Sequence, residues 1–403
     1  MNISLSKAFF WFVFVGIIAF DLLNGFLIAQ KIIPAGGIFS PSQLGRLFIL
    51  VVMLYWVASD KISLSLFLVL LIPLICVELL SGLVHQQLAG VTYGLISSMK
   101  LAVLFVPLLV TLERTSAQQI AHYFVMGIAL MSLVLFISLV LGIGLPTYGS
   151  GGFGTKSFFA SGNDIGMYLG ASALIIMIAR HYSLIEVSWL SVGIIVLGLL
   201  SIASKTSLVF MLLCLAVIFS KTVFVRLLAI LVVLAGALYW QSIWDAVSVV
   251  LDVVIRRFNA ADGDWLFFIT SGRNSFVAEA FELFSSEYST QRVIFGRGVF
   301  VSFQSFQYVQ QVDFLETDIF DIFFMFGLMG LLFYAMLWLG FSYKSLRYPL
   351  FLLPIVMLFM HSAIAGHVIF SGLCLQALLG LAAILSLADS TERNSISSSE
   401  ATN

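Results

Sequence analysis

Charge is what this sequence has least of. Its 403 residues carry 19 Lys and Arg and 20 Asp and Glu, so 10% are charged while 61% are hydrophobic. Soluble chains of this length carry about 25% charged residues. So few charges cannot cover a globule this apolar, and a mean hydropathy of +1.11 points to lipid as the solvent. Cysteine is nearly absent too. Cys76, Cys214 and Cys374 sit in apolar segments without C-x-x-C spacing, which supports neither a disulfide framework nor a thiolate metal site. The five histidines are scattered and none lies in residues 241–317. No G-x-x-x-x-G-K-[ST] phosphate loop and no H-E-x-x-H occurs, so no metal or cofactor is expected. A net charge of −1 makes no electrostatic case for a nucleic-acid partner.

Long apolar runs are what the sequence does have. A helix crosses the hydrocarbon core with about 20 apolar residues. Windows of that kind lie near 8–30, 41–59, 62–84, 94–112, 120–142, 162–180, 184–203, 205–220, 222–240, 318–342, 349–365 and 367–388. They predict an all-α polytopic membrane protein of about 12 spans. Two points are soft, because Lys100 interrupts the fourth window and the 203–206 turn is very short. The first run has no A-x-A-like cleavage site, so a retained first helix is expected. Nine Lys and Arg (Lys7, Lys61, Arg114, Arg180, Lys221, Arg226, Lys344, Arg347, Arg393) fall on one side of this topology. Five (Lys31, Arg46, Lys100, Lys156, Lys205) fall on the other. The positive-inside bias puts both termini in the cytoplasm.

The expected organisation is a bundle of about nine spans over 1–240 and a large external loop over 241–317. About three closing spans follow over 318–388, then a polar, disordered cytoplasmic tail over 389–403. Residues 241–321 hold 11 of the 20 Asp and Glu and 5 of the 19 Lys and Arg, and loops this long are uncommon unless functional. Within the loop, 244–261 repeats apolar residues at helical spacing and reads as a helix lying on the membrane surface. Residues 270–284 read as a second helix with Thr270 and Ser271 as caps. VIFGRGVFVSF, 293–303, reads as a turn between short extended pieces. Asp262-Gly263-Asp264 has the D-x-D spacing of metal-dependent sugar transferases but is also a plain turn signal.

Four loop arginines, Arg256, Arg257, Arg273 and Arg297, offer fixed forks of donors suited to phosphate oxygens. Ion pairing with nearby acids is the competing reading. At Arg273 in Ser-Gly-Arg-Asn, and at Arg297 between two glycines, close backbone approach to a ligand favours function. In FLETDIFDIFF, Asp318 and Asp321 are three apart on one helix face, where acids also suit a helix start. Glu316 precedes them at a membrane boundary where desolvating charge is costly, and a carboxylate there can act as a general base on a hydroxyl. Outside an inner membrane no nucleotide sugars circulate, so the substrate must arrive activated, as a sugar on a polyprenyl pyrophosphate does.

The chain resembles the O-antigen polymerase and O-antigen ligase superfamily of integral membrane glycosyltransferases. Many short-looped spans, one large loop and two or three closing spans carry the resemblance along nearly the whole length. Four stretches add to it: TKSFFASGNDIG (155–166), SKTS (204–207), SGRNSFVAEAF (271–281) and ETDIFDIFFMFGLMG (316–330). The ligases end their loop with a histidine near the acidic segment; here acids stand instead, which favours the polymerase side. The resemblance implies a bacterial inner-membrane, metal-independent transferase joining lipid-linked oligosaccharide repeats of O-antigen or capsule. Arg273 would hold pyrophosphate with help from Arg256, Arg257, Arg297 and Lys205. Glu316 or Asp318 would be the base, and Lys156, Asn163 and Asp321 would line the site. The expected partners are the polyprenyl-pyrophosphate-linked oligosaccharide and membrane lipid, with a chain-length regulator and a flippase as candidate protein partners. A ligase-type transferase, and a transporter or flippase using Asp21 and Glu78, are the alternatives.

Overall fold

The computed structural model describes residues 3–34, 40–84, 88–147, 154–221, 258–259, 262–270, 272–286, 288–302, 315–366 and 368–400. The expected ninth span (222–240), most of the surface helix at 244–261, and Arg256 and Arg257 lie outside these residues.

Among the described residues the fold is helical apart from one two-stranded antiparallel ribbon, β1 (Leu145–Pro146) and β2 (Thr155–Ser157). Among the described residues, eight helices are long and apolar enough to cross a membrane. In chain order they are α1 (Lys7–Ala29), α2 (Pro41–Ala58), α3 (Lys61–Val84), α4 (Gly90–Leu109), α5 (Arg114–Leu141), α6 (Gly162–His181), and, further on, Asp318–Ser345 and Gly372–Ser390. Three described apolar helices are shorter: α7 (Trp189–Ile202), α8 (Lys205–Ser220) and Pro349–Ala365. Each lies where an apolar window predicts a helix. The starts follow local chemistry. Ser40 accepts from Gln43 N–H ahead of Pro41, a capped start with proline in the first turn. Asp60 accepts from the Ser63 side chain and N–H, which holds its carboxyl below the ordinary value.

Among the described residues between α8 and the next long helix are the short helices α9 (Trp265–Thr270), α10 (Arg273–Ser286), α11 (Thr290–Phe295) and α12 (Val299–Ser302). The helix expected at 270–284 corresponds to α10. The extended pieces expected at 293–303 are instead the helical turns α11 and α12. A short apolar run has no period of its own, and docking against a neighbour decides between strand and helix. After them come α13 (Asp318–Ser345), α14 (Leu352–Ala365) and α15 (Gly372–Glu400). The last runs on past residue 389, where the sequence reads as a tail. Propagating an existing helix adds one hydrogen bond per residue fixed and needs no buried face.

Two helices form the centre. In the most apolar 18-residue stretches of α6 and of Gly372–Ser390, 83% of the residues are buried, against 28% in α2. The reason is visible in GNDIGMYLGASALIIMIARH: small residues let neighbours approach closely. A Cβ on Gly170 would stand 2.3 Å from the Phe210 ring of α8. By contrast α2 exposes Leu44, Leu47, Phe48, Val51 and Tyr55, the surface expected of a helix facing lipid.

Helix α13 is broken at Gly327, whose φ of 62° and ψ of −152° are non-helical. The break leaves carbonyls without helical partners, and the α11–α12 turn supplies donors. Arg297 N–H reaches Phe324 O at 3.3 Å, Gly298 N–H reaches Met325 O at 2.9 Å, and Ser302 Oγ reaches Phe324 O at 2.8 Å. A broken helix at membrane depth is tolerated where the freed groups are satisfied in this way.

Candidate functional site

The acidic segment 316–321 sits where α13 begins. Glu316 adopts the left-handed φ of 59°, a conformation that a non-glycine residue keeps only when its surroundings hold it. Two neighbours do so. Gly366, itself at φ 61°, lies so close that a Cβ there would be 2.4 Å from the Glu316 carbonyl carbon. Arg273, the first residue of α10, places Nη2 2.6 Å from Glu316 Oε2 and donates Nη1 to Thr270 O at 3.2 Å. The guanidinium is largely buried, with its side chain 10% exposed against 37% for Glu316. An ion pair with one partner this buried is more than a surface contact.

The two aspartates serve a different purpose. Asp318 Oδ2 accepts from Ser362 Oγ at 2.7 Å and from the N–H groups of Val368 and Ile369 at 2.9 and 3.0 Å. It thereby ties the start of α13 to α14 and to the segment before α15. Asp321 Oδ1 accepts from Leu315 N–H at 2.8 Å and folds the lead-in segment back onto the helix. Both are 1% exposed. Asp318 therefore holds backbone, and Glu316 is the carboxylate with exposed surface.

All three acids line a cavity of about 150 Å³ together with Asp164 of α6. The same cavity is lined by Arg46 of α2 and by Tyr93, Ser97 and Lys100 of α4. Arg46, Asp164 and Asp318 all lie near the N-terminal ends of their helices, so α2, α6 and α13 deliver them to one end of the bundle.

The other expected residues lie elsewhere. Arg297 lines a separate groove of about 840 Å³ with Arg292, Gln291 and Ser81. Its flanking glycines serve packing against α13: a Cβ on Gly296 would be 2.1 Å from Met325 O. Lys156 donates to Ala160 O at 2.7 Å on the ribbon side. Asn163 is exposed beside Asp164, and Lys205 is exposed at the start of α8; neither lines the cavity.

Arg46, Lys100 and Asp164 are site residues that the sequence reading left unassigned. A signal for Lys100 existed. It interrupts an apolar window, and Tyr93, Ser97 and Lys100 recur at helical spacing, a polar stripe where lipid-facing residues would be apolar. Asp21 of α1, one of two acids deep in apolar helices, accepts from Ser42 and lies 3.5 Å from Arg46. Glu78 of α3, the other, accepts from Val299 N–H at 2.8 Å. Among the described residues no group of three or more His, Cys, Asp or Glu is arranged to hold a metal.

Comparison with protein-family models and with curated proteins returns no match.

Proposed function

We propose that this chain is a bacterial inner-membrane polysaccharide polymerase. It moves a growing O-antigen or capsule glycan from polyprenyl pyrophosphate to a lipid-linked repeat unit at the periplasmic face. The observation that carries the reading is Glu316, held in a left-handed conformation 2.6 Å from Arg273 and opening onto a polar cavity between apolar helices. In the reaction, an acceptor hydroxyl oxygen bonds to the anomeric carbon while the bond from that carbon to the pyrophosphate oxygen breaks. The electron pair leaves with pyrophosphate, and the hydroxyl proton passes to Glu316. With its guanidinium largely buried against Glu316, Arg273 is a positioning residue for that carboxylate, rather than the leaving-group contact expected from sequence. Asp318 and Asp321 shape the cavity by holding backbone.

The test is the length profile of surface glycan in a strain lacking the gene. A ladder collapsed to single attached repeats is expected. Complete loss of attached glycan, with polymer accumulating on its lipid carrier, would replace this reading with a ligase. An unchanged profile overturns both. A translocation pathway has less support, because Asp21 and Glu78 are each engaged by local hydrogen bonds.

A further inference from the structure

The polar cavity does not end at Arg46 and Lys100. The same residues, with Tyr93, Ser97 and Ser371, line a second space of about 180 Å³ between α2, α4 and α15. Its remaining wall is mostly aliphatic, including Leu47, Leu50, Leu104 and Leu375. Leu47 is 54% exposed on the least buried of the long helices, so this groove opens to the surface that faces lipid.

The two cations line both spaces, but the acids line only one. The groove holds Arg46 and Lys100 and no carboxylate, whereas the cavity behind them holds Asp164, Glu316, Asp318 and Asp321. Asp21, 3.5 Å from Arg46, offsets one of the two cations. Lys100 makes no hydrogen bond or ion pair with any described residue, although it stands inside an apolar span. A cation so placed is costly, and such residues mark ligand paths.

We propose that Arg46 and Lys100 form the head-group subsite for a pyrophosphate-bearing lipid whose hydrocarbon chain lies along the Leu47–Leu375 groove. The two cations hold phosphate oxygens, which fit a guanidinium fork and an ammonium point charge. Glu316 and Asp164, the less buried acids beyond them, face the sugar hydroxyls, which donate well to carboxylates. The pyrophosphate then leaves towards Arg46 and Lys100 while the acceptor meets Glu316. The identity of the lipid rests on the polymerase reading; the anionic-lipid chemistry rests on the groove itself.

The test is binding of polyprenyl pyrophosphate to the full chain in phosphatidylcholine nanodiscs, read by native mass spectrometry. Lys100→Met is expected to weaken binding roughly tenfold or more, the loss of one charge-assisted contact. Arg46→Gln should do the same. Because it also removes a partner of buried Asp21, Leu47→Trp serves as the variant that fills the groove from a half-exposed position without touching that pair. Unchanged affinity in Lys100→Met and Leu47→Trp overturns the proposal. Equal binding of phosphatidylglycerol overturns the assignment to a pyrophosphate lipid, and equal binding of inorganic pyrophosphate overturns the role of the groove. If a strain lacking the gene keeps its glycan ladder while Lys100-dependent binding persists, the polymerase reading falls and the subsite stands.

Discussion

The Glu78 carboxylate, 3% exposed in α3, accepts a hydrogen bond from the Val299 N–H at 2.8 Å, joining residues 221 apart in sequence. One turn further along α3, Ser81 Oγ donates to the carbonyl of Arg297. Together they hold the α11–α12 turn, which in turn satisfies the carbonyls freed at the α13 break. Glu78→Leu leaves a buried N–H without a partner and is expected to destabilise the purified protein by about 1–3 kcal/mol. Glu78→Gln keeps an acceptor and should lose less. Equal melting temperatures for wild type and Glu78→Leu would refute the clamp.

Arg273 and Glu316 should behave as one unit. Arg273→Ala and Glu316→Gln are each expected to reduce chain elongation by roughly 100-fold or more, the range for a lost general base. The double variant should be little worse than either single one, since coupled residues are not additive. Arg273→Lys keeps the charge without the fork and should restore part of the activity, which a purely structural loss would not predict. A full glycan ladder in cells carrying Arg273→Ala, at normal protein level, rules out its role.

Gly366 meets the same site from behind. Gly366→Ala forces a Cβ towards the Glu316 carbonyl carbon and places a side chain at φ 61°, a conformation costing of order 1–3 kcal/mol. Elongation should fall together with stability. Apart from its chain neighbours and its own helical backbone, Gly193 in α7 has no atom within 4 Å of its Cβ position, so Gly193→Ala should be neutral or stabilising by up to about 1 kcal/mol. Similar thermal shifts for the two variants would contradict this account.

Asp318 separates holding from chemistry. Asp318→Ala removes the acceptor for Ser362, Val368 and Ile369 at once. It should destabilise the junction of α13 with α14 and α15 by about 1–3 kcal/mol or more. Activity per folded molecule should stay well above that of Glu316→Gln. If Asp318→Ala folds normally yet is as inactive as Glu316→Gln, Asp318 is the base instead.

Eleven of the twelve apolar windows coincide with described helices, because twenty apolar residues in a row leave a chain few other structures. The beginning of α13 at Asp318 and most of α10 were legible for a similar reason, since helix starts and amphipathic repeats are local. The α11–α12 turn was misread because its conformation depends on the break at Gly327 and on Glu78, neither of which a local pattern contains. The pairing of Arg273 with Glu316 was legible only as two residue types, not as a contact.

Lys100 and Arg46 show where reading along the chain stops. Each looks like a flaw in an apolar run, or a loop charge, when read alone. Hydropathy is a property of neighbours in sequence, so composition alone determined a helical chain suited to lipid and concentrated its acids before α13. Which charges face one another depends on how α2, α4, α6, α13 and α15 pack. Only the folded molecule therefore decided that four acids share a cavity with two cations, and that those cations open onto an apolar groove.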